Sequence, residues 1–238
     1  AEQLAEKYNV AVSTRPPSVP YKETIRKQIE QHARHKKQSG GHGQFGDVHI
    51  EIGPRPRGAG FEFSSRVVGG SVPRQYIPSV ETGVTRYLDR GPLGFPVVDV
   101  AVCLFDGQHH AVDSSDMAFQ TAAQAAMREG MPKCNPVLLE PICKVEIDSP
   151  SAHTSKVNQI VSGRRGQLLG FDAKTGWPGW DTVHAHLPQS EMADLIIELR
   201  SLTQGTGTFR YAFDHLQELG GREAEAVINQ RQEAQAAA

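Results

Sequence analysis

The chain has 238 residues, of which 38% are hydrophobic, and its formal net charge at pH 7 is −2. This length suffices for one large domain or two ordinary ones, and the pattern of predicted elements favours two. A net charge close to zero argues against a surface that is basic throughout. Three cysteines without C-x-x-C spacing argue against a disulfide framework and indicate a reducing cytoplasm. No apolar run reaches the roughly 20 residues that cross a bilayer, so we expect no membrane partner.

Residues 1–23 are expected to be a remnant of a preceding domain. The first eight residues resemble the end of a helix, Val10 and Val12 alternate briefly as in a strand, and a proline cluster then interrupts regular structure. This pattern predicts that the chain is a piece of a longer protein. The next segment, from Ile25 to Lys37, is mostly charged or amide-bearing, which is typical of a solvated helix face.

Residues 24–138 predict a mixed region of strands and helices. Val48, Ile50 and Ile52 alternate with polar residues, as in a half-buried strand. Strands are predicted near 47–53, 59–68 and 96–105, and helices over 73–89 and 117–129. The segment 113–115 (DSS) should cap the second helix, and alanines at helical spacing should let that helix lie close to a sheet.

Residues 139–238 show a different rhythm, strand-helix-strand-strand-helix-strand, which is the order of a ferredoxin-like domain. The predicted strands are 143–148, 168–173, 182–187 and 209–213, and the predicted helices are 151–161 and a segment around 195–202 that Ser190 caps. The tail from Gly221 onward shows no apolar stripe and is expected to fray. The predicted fold class is therefore α+β.

The segment 35–48 (HKKQSGGHGQFGDV) is a glycine-rich loop with cations before it and a strand after it. Gly41, Gly43 and Gly46 match G-x-G-x-x-G, but a dinucleotide site needs a strand before the glycines and a helix after them. A kinase loop also matches, yet the sequence lacks the other kinase motifs and a P-loop. We interpret the loop as a binding tip. A phosphotransferase and a protein-binding scaffold remain as alternatives.

Neither catalytic residues nor metal ligands are predicted. His184 and His186 share one face of a strand and could hold a metal, but a solvated face is the simpler explanation. His110, Asp113 and Ser115 are the residue types of a hydrolase triad. Helix capping explains the aspartate and the serine, and no G-x-S-x-G elbow occurs.

Nine short runs, taken in order, resemble the C-terminal half of bacterial translation elongation factor G. They are 37–46 (KQSGGHGQFG), 61–63 (FEF), 68–70 (VGG), 94–99 (GFPVVD), 112–115 (VDSS), 117–119 (MAF), 139–141 (LEP), 164–167 (RRGQ) and 203–205 (TQG). Each run is short, but nine in the same order are specific together. The resemblance extends over nearly the whole chain.

The resemblance implies three parts. Residues 1–23 would be the C-terminal remnant of domain III, 24–138 domain IV with a ribosomal protein S5 domain 2-like fold, and 139–238 the ferredoxin-like domain V. Domain IV would be an arm that enters the decoding site of the ribosome and promotes tRNA-mRNA movement during elongation. GTP and Mg²⁺ would belong to a separate GTPase domain of the parent, so this chain should hydrolyse nothing. A cytoplasmic monomer that contacts ribosomal RNA is expected.

The resemblance also implies which residues contact RNA. Two loops would form the arm tip, with His110 at the position that the family places against the tRNA. The implied tip residues are Gly41, His42, Gly43, Gln44, Phe45, Gly46, Asp47, Gln108, His109 and His110. The basic segment supplies Arg34, Lys36 and Lys37 as expected phosphate contacts. Arg164 and Arg165 would lie near the large ribosomal subunit.

The sequence departs from the family pattern at two tip positions. Asp47 stands where the family usually has histidine, and His42 where arginine is common. A carboxylate beside RNA phosphates is expected to repel them. These departures leave open a paralogue that acts in ribosome recycling or rescue rather than in translocation.

Overall fold

The computed structural model describes residues 18–38 and 43–236. The helix end and the strand that the sequence predicts within residues 1–17 lie outside the described residues, as do Gly41 and His42. The described residues form two sheets with helices, which confirms the predicted α+β class. Among them, no helix has both the length and the apolar character that a membrane span requires.

The first sheet has four strands in the order β2-β3-β5-β4. They are β2 (Ile29–Lys37), β3 (Gln44–Pro54), β4 (Glu62–Ser65) and β5 (Val100–Gln108). β3 is antiparallel to β2 and β5, whereas β4 is parallel to β5. Val48, Ile50 and Ile52 of β3 are fully buried in the core, and alternation turns His49 and Glu51 to the opposite face.

Two helices, α1 (Ile77–Leu88) and α2 (Asp116–Gly130), complete this core. The predicted cap of α2 is confirmed, because the Ser115 hydroxyl accepts a hydrogen bond from the Ala118 N–H at 3.2 Å. The helices touch through small residues. A Cβ on Gly83 of α1 would lie 2.4 Å from the carbonyl oxygen of Gln120 in α2.

The second sheet has five strands, and every neighbouring pair is antiparallel. Four of them, in the order β9-β6-β8-β7, are β6 (Pro136–Pro150), β7 (Gln167–Ala173), β8 (Trp180–Pro188) and β9 (Thr208–Leu219). The fifth is β1 (Lys22–Ile25), which pairs with the start of β6. α3 (Thr154–Gly163) follows β6 and α4 (Leu195–Leu202) follows β8. Their apolar faces pack with Val145, Ile147 and Leu187 of the sheet. This arrangement confirms the predicted ferredoxin-like domain.

The basic segment is a strand, so the helical interpretation of residues 25–37 is wrong. Every residue of β2 pairs with β3, from Ile29 opposite Ile52 to Lys37 opposite Gln44. The sequence of β2 lacks the alternation of apolar and polar residues that marks a strand, because one face of β2 is open to solvent and only Ala33 is buried. Pairing with the apolar strand β3 outweighs the weak intrinsic preference of these residues for one type of secondary structure.

Two predictions near the C-terminus are also wrong. Ser190 lies in a 3-10 turn (Gln189–Met192), and α4 begins only after Asp194. The tail does not fray, because it forms α5 (Gly221–Ala236). Val227 and Ile228 of α5 pack in a third core cluster that includes Phe95.

A short strand, β1 (Lys22–Ile25), joins the two parts of the chain. Its backbone pairs with the start of β6 in the second sheet. Its Glu23 side chain accepts hydrogen bonds from the N–H groups of Leu93, at 2.9 Å, and Phe95, at 3.1 Å, in the turn that follows α1. The backbone N–H of Glu23 donates to the carbonyl oxygen of Pro96 at 2.9 Å, and its carbonyl oxygen accepts the Val98 N–H at 2.9 Å. β1 therefore pairs with β6 on one side and bonds to residues 93–98 of the first part of the chain on the other.

Candidate nucleic-acid interface

Two segments lie side by side at one end of the first sheet, and we call them the paired loops: residues 43–45, where the described chain resumes at the start of β3, and residues 109–115 between β5 and α2. The Phe45 N–H donates to the carbonyl oxygen of Asp113 at 2.8 Å, and the Ser114 hydroxyl donates to the carbonyl oxygen of Phe45 at 2.9 Å. The Phe45 and His110 rings are 6.3 Å apart, centroid to centroid. The two loops therefore meet, as the resemblance implies.

His110 is held in place by its own loop. Its N–H donates to the Ser114 hydroxyl at 2.9 Å, and its Nδ1 accepts the Asp113 N–H at 3.2 Å. The side chain nevertheless remains 56% exposed. An imidazole fixed at one nitrogen and open to solvent can donate to a phosphate or stack on a base without a large loss of side-chain entropy.

Close packing explains two glycines of the G-x-G-x-x-G motif. A Cβ on Gly43 would lie 2.7 Å from Cγ of Asp113, whose Oδ1 accepts the Gly43 N–H at 3.1 Å. A Cβ on Gly46 would lie 2.8 Å from the carbonyl carbon of Ala118 in α2. These glycines let β3 approach the second loop and α2, which requires no nucleotide.

Exposed cations and amides surround the paired loops. Lys36 and Lys37 are exposed at the end of β2, and within the described residues neither takes part in an ion pair. Gln44, Gln108 and His109 are also exposed. This set provides hydrogen-bond donors and positive charge at a surface that a polyanion can reach.

Asp47 does not face solvent, so its carboxylate is not exposed at the surface where RNA phosphates were expected to meet it. Its side chain is fully buried, and its Oδ2 accepts hydrogen bonds from Arg34 Nε at 2.6 Å and His32 Nε2 at 2.9 Å. Arg34 also donates to Gln108 at 3.4 Å and lies over the Phe45 ring. Much of the Arg34 charge is therefore neutralised inside the sheet, and Lys36 and Lys37 carry the more available charge.

A third segment reaches the paired loops, and the sequence did not indicate it. His109 Nδ1 donates to the carbonyl oxygen of Ser71 at 3.2 Å. A Cβ on Gly107 would lie 2.5 Å from Val72 Cγ2, so the segment after β4 lies against the end of β5. The adjacent run 68–70 (VGG) is one of the nine runs that resemble the family, and this was the one feature of the sequence that could have drawn attention to the segment.

Arg164 and Arg165 are engaged within the chain. Arg164 contacts Glu198 at 2.8 Å and donates to two backbone carbonyl oxygens of the turn before α4. Arg165 forms paired hydrogen bonds with the buried Glu140 and further ion pairs with Glu191 and Glu223. Burial alone would lower the pKa of Arg165, but its glutamate partners more than offset it, so the pKa lies above its usual value.

The two histidines considered for a metal lie on the polar face of β8, among acidic groups. His184 is 3.6 Å from Glu146 and 3.4 Å from Asp172, and His186 is 3.6 Å from Asp214. A triad geometry is not formed at the paired loops, since Ser115 caps α2 while Ser114 contacts His110.

A different histidine pair, His32 and His49, contacts Asp47, and the sequence analysis did not identify it. The two histidines stand at equal sequence distances before and after residues 38–43 of the glycine-rich loop, which would have predicted that they are neighbours if the two segments form a hairpin.

Comparison with known proteins identifies both parts of the chain. Residues 17–135 match the family described as "Elongation factor G, domain IV", and residues 137–227 match "Elongation factor G C-terminus". Together with the two folds described above, these matches define the class as translation elongation factors.

The relatives define the family. The chain is 59% identical over 218 residues to an "Elongation factor G-like protein" of Synechocystis sp. (strain ATCC 27184 / PCC 6803 / Kazusa), covering 92% of the chain and 33% of the relative. It is 45% identical over 231 residues to "Elongation factor G" of Aquifex pyrophilus, covering 97% of the chain and 33% of the relative. A crystal structure from Thermus thermophilus superimposes with a TM-score of 0.88 at 35% identity, covering 97% of this chain and 34% of that one. The chain belongs to the elongation factor G family and spans about a third of the length of these relatives.

Proposed function

We propose that this chain is the RNA-contacting arm of a ribosomal translocation GTPase, and that its paired loops enter the decoding site to promote tRNA-mRNA movement. The observation that carries the proposal is the convergence of the two loops at one end of the first sheet, with His110 exposed between them. Membership of the elongation factor G family supports the ribosome as the partner.

The mechanism is steric and electrostatic. β5 spans about 27 Å at about 3.4 Å per residue, so the paired loops lie far from the junction with the second domain. Lys36 and Lys37 attract phosphates, while the hydrogen bonds among Phe45, Asp113 and Ser114 keep the two loops in fixed positions. A rigid end placed beside the tRNA-mRNA duplex would hinder its return, and no bond needs to be broken by this chain.

Replacing Lys36 and Lys37 by alanine tests the electrostatic part. We expect K36A/K37A to bind bacterial ribosomes more weakly, because each lost phosphate contact reduces counterion release. The slope of log affinity against log salt should fall by about one unit for each contact. Sedimentation of the chain with ribosomes at several salt concentrations measures this slope. The matched control is Lys156→Ala, which removes an exposed lysine of α3. Equal slopes for wild type and K36A/K37A would refute the proposal.

Replacing His110 by alanine in the full-length protein tests the position of the arm. We expect slower movement of tRNA and mRNA with nearly unchanged GTP hydrolysis, because the histidine lies on the proposed RNA contact and GTP would bind elsewhere. Rapid kinetics of both steps on the same ribosomes provide the readout. Equal losses in both steps would show that His110 does not act at an RNA contact.

A paralogue that acts in ribosome recycling or rescue is the alternative. The relative with 59% identity is named "Elongation factor G-like protein", whereas the one with 45% identity is named "Elongation factor G". Assays of translocation and of ribosome splitting with the full-length protein distinguish these roles. A phosphotransferase would instead show nucleotide turnover by the purified chain, and a scaffold would keep its partner after ribonuclease treatment.

A further inference from the structure

We propose that His32, Asp47 and His49 form a binding site for one divalent transition-metal ion, with Zn²⁺ as the best fit, on the open face of the first sheet. The site lies on β2 and β3, below the paired loops. It goes beyond the proposed function and does not depend on RNA binding.

The geometry brings three suitable ligands together. His32 and His49 are direct neighbours across β2 and β3, and their rings are stacked with 4.1 Å between centroids and 15° between planes. One ligand atom from each histidine and one from Asp47 all lie within 4.8 Å of one another. Tetrahedral zinc with bonds of about 2.0–2.2 Å places two ligand atoms about 3.4 Å apart, so the side chains must each close in by about 1 Å at most to bind the ion.

The Asp47 carboxylate has an oxygen available for an ion. Its Oδ1 is buried and has no hydrogen-bond partner among residues 18–38 and 43–236, and His49 Nε2 lies 3.6 Å from it. A buried carboxylate oxygen without a partner is costly. An ion bound between Oδ1 and His49 Nε2 would satisfy both atoms at once.

The other carboxylate oxygen is held by Arg34, which contacts Oδ2 at 2.6 Å. This contact fixes the orientation of the carboxylate, as hydrogen-bond partners of metal ligands commonly do. His32 Nε2 also bonds to Oδ2, at 2.9 Å, so Oδ1 is the oxygen without a hydrogen bond among the described residues, with His49 Nε2 3.6 Å away. Two imidazole nitrogens and one carboxylate, with water in the fourth position, are a ligand set that zinc accepts. Binding requires the Nε2 lone pairs, so protons on Nε2 move to Nδ1 or to solvent.

A second cluster, formed by His186, Asp214 and His215, provides an internal comparison. Its carboxylate is partly exposed, and its Oδ2 already bonds to His215 Nδ1 at 2.6 Å. No atom of this cluster is among the buried side-chain atoms that lack a partner in the described part of the chain. The unsatisfied buried oxygen therefore favours the cluster around Asp47.

The test uses the whole chain, freed of metal and titrated with ZnCl₂ in a calorimeter. We expect one equivalent to bind with micromolar or tighter affinity at the Asp47 cluster. H49A should weaken that binding about tenfold or more, and H32A/H49A should abolish it. The matched controls are His35→Ala on the same strand, which removes a histidine outside the cluster, and H186A/H215A in the second domain. Both control variants should still bind one equivalent of Zn²⁺ with micromolar or tighter affinity.

An NMR measurement keeps the test decisive if the double variant folds poorly. In the wild-type chain, one equivalent of Zn²⁺ should shift the Nε2 resonances of His32 and His49 before those of His186 and His215. Thermal stability should rise with Zn²⁺ in the wild type and in H35A, but not in H49A. Absence of binding to the wild type, or loss of the tight equivalent only in H186A/H215A, would overturn the proposal.

Discussion

Gly46 lies where β3 passes the first turn of α2, and its missing side chain is what permits that approach. A Cβ there would lie 2.8 Å from both the carbonyl carbon and the carbonyl oxygen of Ala118, and 3.0 Å from the N–H nitrogen of Phe119. These are backbone atoms of a helix, so they cannot move aside as a flexible side chain could. The glycine therefore sets the distance between the sheet and the helix that carries the second loop.

We predict that Gly46→Ala lowers the free energy of unfolding by about 2 kcal/mol, because the added methyl group overpacks a rigid contact. Urea denaturation followed by circular dichroism measures the change. Gly163→Ala is the matched control, since a Cβ at the end of α3 meets no atom within 4 Å. Its effect should lie within about 0.5 kcal/mol of zero. If G46A were as stable as G163A, the glycine would be required by a ligand rather than by packing.

Asp47 shows why residue identity alone was misleading. An aspartate in a loop sequence that resembles an RNA-contacting tip suggests an exposed negative charge. The structure buries this carboxylate and surrounds it with Arg34, His32 and His49. Two of these three partners, Arg34 and His32, lie on the other strand of the hairpin. The residues next to Asp47 in the sequence therefore could not show that its carboxylate is buried and paired.

At the level of elements, α5 is held against the rest of the protein by a narrow stripe of apolar side chains and by a hydrogen bond from Arg231. Ala224, Val227 and Ile228 share one face and pack with Phe95, and the Arg231 guanidinium donates to the carbonyl oxygen of Gly94 at 3.0 Å. The stripe has only three members at helical spacing within a polar sequence. That explains why the segment resembles a frayed tail when its contact surface is unknown.

We predict that Val227→Asp releases α5, because a carboxylate placed in this apolar contact loses its hydration without gaining a partner. Hydrogen exchange of the amides in residues 222–236 should become faster, and limited proteolysis should cleave there. Ala226→Asp is the matched control, since Ala226 is exposed. Equal exchange rates in the two variants would mean that docking does not hold the helix.

The whole molecule depends on the junction between its two sheets, and Glu23 lies at its centre. The residue is fully buried, and burial raises the pKa of its carboxyl to about 7, which the two backbone N–H donors only partly oppose. Its Oε1 has no hydrogen-bond partner in the described part of the chain. The junction therefore holds a carboxyl group that changes charge near neutral pH.

Glu23 should make stability depend on pH. Because its folded pKa of about 7 exceeds the ordinary value of 4.5, the folded chain binds more protons than the unfolded chain between these values. The free energy of unfolding should therefore fall as pH rises through this window, by about 3 kcal/mol in total, and remain lower above it. Glu23→Gln should remove this contribution, so its stability should change less between pH 5 and pH 8.

Urea denaturation at pH 5, 6, 7 and 8 measures the effect. Glu225→Gln, on the exposed side of α5, is the matched control and should keep the wild-type pH dependence. Parallel curves for E23Q and wild type would show that Glu23 does not titrate in this range.

Much of the fold could be predicted from the sequence because short-range patterns carry it. Alternation marked β3, Ser115 marked the start of α2, and the order of strands and helices marked the ferredoxin-like domain. The candidate site was predictable as far as the meeting of two loops, through the resemblance of runs such as 37–46. The ion pairs and hydrogen bonds within the site could not be predicted, because no short sequence pattern shows that the charged residues of β2 and the histidines at 32 and 49 lie around Asp47.

The sequence by itself determined the class of most elements, the cap of α2 and the family, since these depend on residues within a few positions of one another or on ordered runs. Only the tertiary structure decided that Asp47 is buried, that His32 stacks on His49, that Glu23 lies between two sheets and that α5 docks on Phe95. The physical reason is that burial and pairing are set by contacts between residues distant along the chain. Their free energies come from desolvation and packing, which no single segment contains.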